Sequence, residues 1–156
     1  GGEDAIVAAV CAAAADARNI ADLYAGCGAL SFPLSTIAPV HAFEGDAEMV
    51  QAIRRADARR AVTAEIRDLA RQPLRHTELK NFDTIVFDPP RAGAKTQAAA
   101  IAGSDAATVV AVSCNPATLA RDLRLLADGG YRIESVQPID QFPWSAHVEA
   151  VVVLRR

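Results

Sequence analysis

Short runs of apolar and β-branched residues alternate with segments of helical periodicity along most of this 156-residue chain. No other feature limits the possible folds as strongly, because strands that alternate with helices form a parallel, doubly wound sheet. Seven strands are predicted, at Ile20–Tyr24, Val40–Glu44, Val62–Ile66, Phe82–Asp88, Thr108–Ser113, Tyr131–Pro138 and His147–Leu154. An alanine-rich segment from Glu3 to Ala17 predicts a helix ahead of them.

The last two predicted strands are separated only by the loop Ile139–Ala146, which leaves no room for a crossover helix. Strands joined so closely pair antiparallel. The sequence therefore predicts an α/β protein with a mostly parallel sheet and an antiparallel last strand. Its content of 51% hydrophobic and 22% charged residues suits one domain over residues 1–156.

The charge balance argues against a chain that binds nucleic acid unaided. The net charge is -3 and the pI about 5.6, whereas such proteins carry a basic surface. The chain begins at Gly1 and has Met49 as its only methionine, which predicts a fragment of a longer protein. No apolar run approaches the roughly 20 residues of a membrane span, and no secretion signal opens the sequence. We therefore expect a soluble, cytoplasmic protein.

The three cysteines are Cys11, Cys27 and Cys114. Their odd number and unpaired spacing argue against a disulfide framework and against a zinc site, so no metal is predicted. Cys11 falls in the first helical pattern and is expected in the core. Cys27 lies between two glycines, where it is expected to fill a small space.

The glycines of Asp22-Leu-Tyr-Ala-Gly-Cys-Gly28 follow the first predicted strand and precede a helical pattern. Gly26 and Gly28 would let the backbone approach a ligand at a helix N-terminus. A dinucleotide fingerprint would carry a third glycine near Ser31, and its absence favours a nucleoside without phosphate. Tyr24 fits two roles equally well, packing on that ligand or filling the core.

Glu44 ends the second predicted strand, and Asp68 follows the third. Glu44 stands where related nucleotide-binding sheets bind ribose hydroxyls. Alternatively, Glu44 helps Asp46 to cap the helix that begins at Ala47. The upstream glycines favour the ribose role. Asp68 fits either an adenine contact or a solvated loop.

The fourth and fifth predicted strands each end in a motif that suggests chemistry. Asp88-Pro-Pro-Arg91 places a carboxylate and a rigid turn at the carboxyl edge of the sheet, where ligands bind. In Ser113-Cys-Asn-Pro116, Asn115 is the expected helix cap and Pro116 the first helical residue. The positive end of that helix would favour the thiolate form of Cys114, which makes it a candidate nucleophile.

The closing segment Phe142-Pro-Trp-Ser-Ala-His-Val-Glu149 brings aromatic residues, a histidine and a carboxylate to the end of the sheet. In the strand pattern His147 and Glu149 share one face. Such a polar face usually meets water, and only the neighbouring motifs suggest that it points toward a site.

Four segments together resemble the RNA uracil-5 methyltransferases, a family with bacterial members that act on tRNA and on 23S ribosomal RNA. The resemblance covers nearly the whole chain and follows the family's order: Asp22-Leu-Tyr-Ala-Gly-Cys-Gly28, Asp88-Pro-Pro-Arg-Ala-Gly93, Ser113-Cys-Asn-Pro-Ala-Thr-Leu-Ala-Arg-Asp122, and Phe142-Pro with His147-Val-Glu149. It implies a class I methyltransferase (Rossmann-like) fold and S-adenosyl-L-methionine as cofactor.

By this resemblance Cys114 corresponds to the family's nucleophile and Glu149 to its proton acceptor. The cofactor-binding positions it implies are Tyr24, Gly26, Gly28, Ala29, Glu44, Asp68 and Asp88. The implied reaction is methyl transfer to carbon 5 of a uridine in tRNA or rRNA through a covalent cysteine adduct. The RNA would be bound mainly through regions outside this chain.

The chain departs from the family pattern at Ala29, where asparagine is frequent, and at Trp144-Ser145, where histidine and threonine are commoner. Three other functions stay open. An RNA cytosine-5 methyltransferase would be expected to carry a cysteine after the proline of the fourth-strand motif, where Arg91 stands. An amino-group methyltransferase would leave Cys114 without a role. A non-catalytic module that binds cofactor or RNA would need neither Cys114 nor Glu149.

Overall fold

The computed structural model describes residues 1–140 and 148–156. The strands in this part of the chain are β1 (Ile20–Leu23), β2 (Val40–Glu44), β3 (Val62–Ile66), β4 (Thr84–Phe87), β5 (Thr108–Ser113), β6 (Arg132–Asp140) and β7 (Val148–Arg155). The helices are α1 (Gly2–Ala13), α2 (Ser31–Leu34), α3 (Ala47–Ala56), α4 (His76–Leu79), α5 (Lys95–Ala102) and α6 (Pro116–Asp128).

The strands form one sheet in the order β3-β2-β1-β4-β5-β7-β6. Strands β1 to β5 pair parallel, whereas β7 pairs antiparallel with both β5 and β6. The predicted parallel sheet with an antiparallel last strand is confirmed. The order changes direction between β1 and β4, and in open α/β sheets ligands bind at the carboxyl ends of the strands beside such a switch point.

The ends of some elements differ from the predicted ones. Helix α1 stops at Ala13, four residues early, and β4 begins at Thr84 instead of Phe82. The Asp83 carboxylate accepts hydrogen bonds of 3.2 and 2.9 Å from the Arg18 N–H. This long-range contact holds the chain where it enters β1, and periodicity along the sequence does not reveal it.

The core has one apolar layer on each face of the sheet. Ile6 and Val10 of α1 pack with Ile53 of α3 on one face. Ile101 of α5 and Leu126 of α6 pack on the other. Strands β1, β4 and β5 are buried throughout, as a parallel sheet covered on both faces requires. Within the described ranges, no helix combines the length and apolar character needed to cross a bilayer.

Candidate active site

Three acidic residues meet at the carboxyl edge of neighbouring strands. Asp22 in β1 is level with Ala42 of β2 and with Val86 of β4. Glu44 and Asp88 lie two residues beyond those partners, so they flank β1 at the same height. The strand register therefore gathers carboxylates that are 22 or more positions apart in sequence.

The turn after β1 is built from left-handed backbone. Tyr24, Gly26 and Gly28 have φ values of 60°, 59° and 94°. This conformation is uncommon for a tyrosine, and such residues cluster at functional sites. The half-buried Tyr24 packs against the core and also lines a cavity.

The two glycines of this turn serve different purposes. A β-carbon on Gly26 would meet no atom within 4 Å, so this position faces open space. A β-carbon on Gly28 would lie 2.7 Å from Cε2 of Phe32, so Gly28 makes room for protein packing. Ala29 is exposed in the turn that leads to α2.

A cavity of about 420 Å³ lies at this edge of the sheet, and Tyr24, Glu44, Asp68 and Asp88 all line it. A larger cavity of about 650 Å³ surrounds Arg67 and contains none of the predicted site residues. The smaller cavity is therefore the better candidate for the cofactor.

The Glu44 carboxylate joins the glycine turn to the start of α3. Its Oε1 accepts a 3.0 Å hydrogen bond from the Gly26 N–H, and its Oε2 a 2.8 Å bond from the Asp46 N–H. Asp46 itself caps α3, by accepting from Glu48 and Met49. Each Glu44 oxygen can still accept a second hydrogen bond, as a ribose diol would require.

Asp68 was predicted either to contact adenine or to lie in a solvated loop, and its position fits both. Its Oδ1 accepts a 3.1 Å bond from the Ala70 N–H, and its Oδ2 lies 3.7 Å from Nε of Arg71. The side chain is exposed, as a solvated loop residue would be, yet it lines the same cavity as Glu44.

The Asp88 carboxyl group lies close to the predicted base. By surface area Asp88 is exposed, but its carboxyl group is crowded by protein atoms. The pKa of Asp88 is raised to about 7, mainly by desolvation and to a smaller extent by the negative charge of Glu149. Desolvation likewise raises the pKa of Glu149. Asp88 lines the cavity, and Glu149 is the second residue of β7. Their interaction therefore places the beginning of β7 beside the cavity.

The predicted nucleophile and base occupy adjoining strand ends. Ser113 of β5 pairs with Ala150 of β7, and the next position along each strand toward the carboxyl edge holds Cys114 and Glu149. Both residues are partly exposed. The antiparallel pairing thus brings a thiol and a carboxylate together at one edge.

Hydrogen bonds to Asn115 fix the turn that carries Cys114. The Ser113 hydroxyl accepts a 3.0 Å bond from the Asn115 N–H and donates a 3.1 Å bond to the Asn115 carbonyl. The Asn115 side chain accepts from Ala117 at 3.1 Å and from Thr118 at 3.5 Å. The predicted cap, with Pro116 as first helical residue, is confirmed, and Cys114 precedes the positive end of a 13-residue helix.

Side chains of α6 also hold the loop after Asp88, which the sequence reasoning missed. The Arg91 carbonyl accepts from Nδ2 of Asn115 at 2.9 Å and from the Thr118 hydroxyl at 3.0 Å. Oδ2 of the buried Asp122 accepts a 2.7 Å bond from the Ala94 N–H. The available signal was the helical spacing of polar residues within the 115–122 segment.

Asp22 was also missed as a site residue. It is 1% exposed, and its Oδ2 accepts a 2.6 Å bond from the Ser31 hydroxyl. Its Oδ1 has no partner in the described part of the chain. Burial raises the pKa of Asp22 to about 7, the Ser31 bond lowers it, and Asp88 and Glu44 raise it further. A carboxylate inside an apolar strand was the signal that could have revealed it.

The predicted aromatic residues and histidine of the closing loop, Phe142, Trp144 and His147, lie outside the described residues. Cys11 is partly buried against the core, and Cys27 is exposed in the glycine turn instead of filling an internal space.

A family model described as tRNA (uracil-5-)-methyltransferase matches residues 46–156. The chain belongs to this family. The match contains the Asp88, Cys114 and Glu149 segments, so the family suggested by the motifs is confirmed.

Two curated relatives in this group are bacterial. An uncharacterized RNA methyltransferase of Mesorhizobium japonicum is 56% identical over 142 residues, which cover 88% of this chain and 34% of the relative. The 23S rRNA (uracil(1939)-C(5))-methyltransferase of Chromohalobacter salexigens is 41% identical over 145 residues, covering 89% and 30%. The chain thus spans about a third of the length of the relatives it matches.

A solved family structure shares the fold. The tRNA (uracil-54, C5)-methyltransferase of Pyrococcus abyssi, in complex with S-adenosyl-L-homocysteine, superposes with a TM-score of 0.84 and 28% identity. The alignment covers 97% of this chain and 38% of that one. The fold is therefore that of the class I methyltransferases.

Proposed function

We propose that this chain transfers a methyl group from S-adenosyl-L-methionine to carbon 5 of a uridine in RNA, through a covalent adduct on Cys114. The observation that carries the proposal is the juxtaposition of Cys114 and Glu149 at the ends of β5 and β7. Family membership supports it, because the family's name describes uracil-5 methylation of tRNA.

The site fits the cofactor. The 420 Å³ cavity, the open space at Gly26 and the unpartnered Oδ1 of Asp22 provide room and acceptors. We assign the ribose to Glu44 and the adenine side to Asp68, with Tyr24, Gly26, Gly28, Ala29 and Asp88 completing the pocket. When bound, the cofactor supplies an electrophilic methyl group on a sulfonium.

Cys114 activates the uracil ring for methylation. Carbon 5 of uracil is a weak nucleophile until a thiolate adds to carbon 6. The Cys114 sulfur forms that bond, and the displaced electron pair makes an enolate. Carbon 5 of this enolate would take the methyl group as the bond between the methyl carbon and the cofactor's sulfur breaks, with that bond's electron pair left on sulfur. Cys114 directly precedes the N-terminus of α6, at the carboxyl edge of the sheet.

Glu149 completes the reaction. Once carbon 5 carries the methyl group, its remaining proton must leave. The Glu149 carboxylate accepts this proton, the double bond between carbons 5 and 6 re-forms, and the bond from carbon 6 to sulfur breaks to release the Cys114 thiolate. The raised pKa of Glu149 suits a proton acceptor.

The substrate in this proposal is a structured RNA, tRNA or rRNA, reached in the cytoplasm. Of the relatives described above, the Chromohalobacter salexigens enzyme is named for 23S rRNA and the Pyrococcus abyssi enzyme for tRNA. The net charge of -3 leaves RNA binding mainly to regions beyond this chain. A paired uridine must first be unstacked, because carbons 5 and 6 are otherwise covered by neighbouring bases.

The test uses RNA that contains 5-fluorouridine, whose carbon 5 has no proton for Glu149 to remove. The parent, which is here the full-length protein that contains this chain, should yield a slow-migrating protein–RNA band on a denaturing gel when S-adenosyl-L-methionine is present. Cys114→Ala should yield none. Cys27→Ala, which removes another exposed thiol at this sheet edge, is the matched control and should keep the band. A band of parent intensity from Cys114→Ala would overturn the proposal.

A further inference from the structure

The candidate site contains four carboxyl groups that are linked by electrostatic interactions between neighbours. Asp22 is coupled electrostatically to Glu44 and Asp88, and Asp88 to Glu149. They come from β1, β2, β7 and the turn after β4, so the sheet register makes the group and no single loop does. Ser31 of α2 is the polar side chain that contacts Asp22.

No cation offsets this charge in residues 1–140 and 148–156. The ion pairs there involve other carboxylates and leave Asp22, Glu44, Asp88 and Glu149 without a basic partner. Arg67 lines the cavity, but its guanidinium already binds Glu78 at 2.8 and 2.9 Å and Glu65 at 3.3 Å.

The buried Oδ1 of Asp22 is an acceptor available to a ligand of this group. Polar atoms that are shut away from water almost always have a hydrogen-bond partner. This oxygen has none among the described residues, while Oδ2 of the same carboxyl is occupied by Ser31. A nearby cation would reduce the repulsion among the four groups, and a water ordered beside it would donate the missing hydrogen bond.

Building on the proposed function, we propose that these four carboxylates select the methyl donor over its demethylated product by charge. S-adenosyl-L-methionine carries a sulfonium and therefore one more positive charge than S-adenosyl-L-homocysteine, with nearly the same shape. Contacts to adenine, ribose and the amino-acid end are common to both molecules. The charge of the site distinguishes them, because it attracts only the molecule with the sulfonium. Methyl transfer therefore lowers the affinity of the site for the product, S-adenosyl-L-homocysteine.

Protonation of Asp22 and Asp88 should reduce this preference. Above the pKa of about 7 that Asp22 and Asp88 share, both are charged and attract the sulfonium. Below it these two groups are neutral, and the site attracts the sulfonium less. The preference should therefore be largest at about pH 8 and become smaller as the pH falls toward about 5.5.

The experiment is calorimetry of the protein with S-adenosyl-L-methionine, S-adenosyl-L-homocysteine and sinefungin, which carries an ammonium group in place of the methylsulfonium. At about pH 8 both cationic ligands should bind on the order of tenfold more tightly than the neutral product. Asp88→Asn should reduce that ratio on the order of fivefold. Asp22→Asn provides a second variant should one of the two fail to fold.

The matched control is Asp128→Asn, which makes the same charge change at the far end of α6, about 20 Å away along the helix. It should leave the ratio unchanged. A ratio near one in the parent, or a ratio unaffected by pH and by both variants, would overturn the inference while leaving the proposed function intact. Failure of all three ligands to bind would instead defeat the proposed function.

Discussion

The Gly26 N–H donates a 3.0 Å hydrogen bond to Oε1 of Glu44. This contact ties the open, left-handed turn after β1 to the end of β2, 18 residues further along the chain. Glu44 therefore shapes the turn as well as offering acceptors to a ligand.

Glu44→Ala should weaken cofactor binding on the order of tenfold or more, because it removes the acceptors assigned to the ribose and releases the glycine turn. Glu44→Gln retains one oxygen acceptor and should lose less affinity. Calorimetry with S-adenosyl-L-homocysteine measures both. Glu48→Ala, an exposed carboxylate on α3, is the control. Parent-like binding by Glu44→Ala would show that the ribose assignment is wrong.

Glu149→Gln should trap the covalent complex, because the nucleophile is intact while the base that resolves the methylated adduct is lost. When the full-length protein with this substitution is incubated with unmodified RNA and methyl-labelled cofactor, a denaturing gel should show a labelled, slow-migrating band. The double variant that also carries Cys114→Ala should show no band. Rapid product release by folded Glu149→Gln would contradict the assigned role.

Asp22 should make the protein less stable as the pH rises. The folded-state pKa of about 7 exceeds the ordinary value of 3.8. Between these values the folded protein keeps a proton that the unfolded chain has lost, so the free energy of unfolding falls from about pH 4 to about pH 7. Asp22→Asn removes this dependence.

Urea unfolding at about pH 5 and about pH 8 measures the effect. The parent should lose more stability over this interval than Asp22→Asn does, and the difference isolates Asp22 from Asp88, which both proteins retain. Asp128→Asn should follow the parent. Equal pH dependence in the parent and Asp22→Asn would refute the assigned ionisation.

Gly28→Ala should destabilise the fold by about 3 kcal/mol, because its φ of 94° strains an alanine and the added carbon would meet Phe32 at 2.7 Å. Gly103→Ala is the control, since its added carbon would lie at an ordinary 3.7 Å from the Ala100 carbonyl oxygen. Thermal unfolding of both variants checks the difference. Equal midpoints would contradict the packing role of Gly28.

Patterns of neighbouring residues predicted well those strand bounds and helix caps that depend only on neighbouring residues. The bounds of β2, β3 and β5 agree with the prediction to the residue. An apolar run marks a buried strand whatever its neighbours are. The Asn115 cap was equally predictable from the sequence, because a cap and the N–H groups it binds lie within three residues of each other.

The site was predicted only in part. The motifs identified the segments that carry Glu44, Asp88, Cys114 and Glu149, and the structure brings these segments to one edge of the sheet. The missed residues were Asp22, whose importance depends on what surrounds it, and Asp122, whose partner Ala94 is 28 positions away. Neither contact follows from spacing along the chain.

The sequence by itself determined the set of strands and helices, the cap that precedes α6, and the family to which the motifs belong. Only the tertiary structure decided that β7 enters between β5 and β6, which brings Glu149 beside Cys114. It also decided that Asp22 lies buried between Glu44 and Asp88 with one oxygen unpartnered. The physical reason is that the packing of the whole sheet determines strand order and register. The residues of one strand do not by themselves specify which distant strand they will pair with.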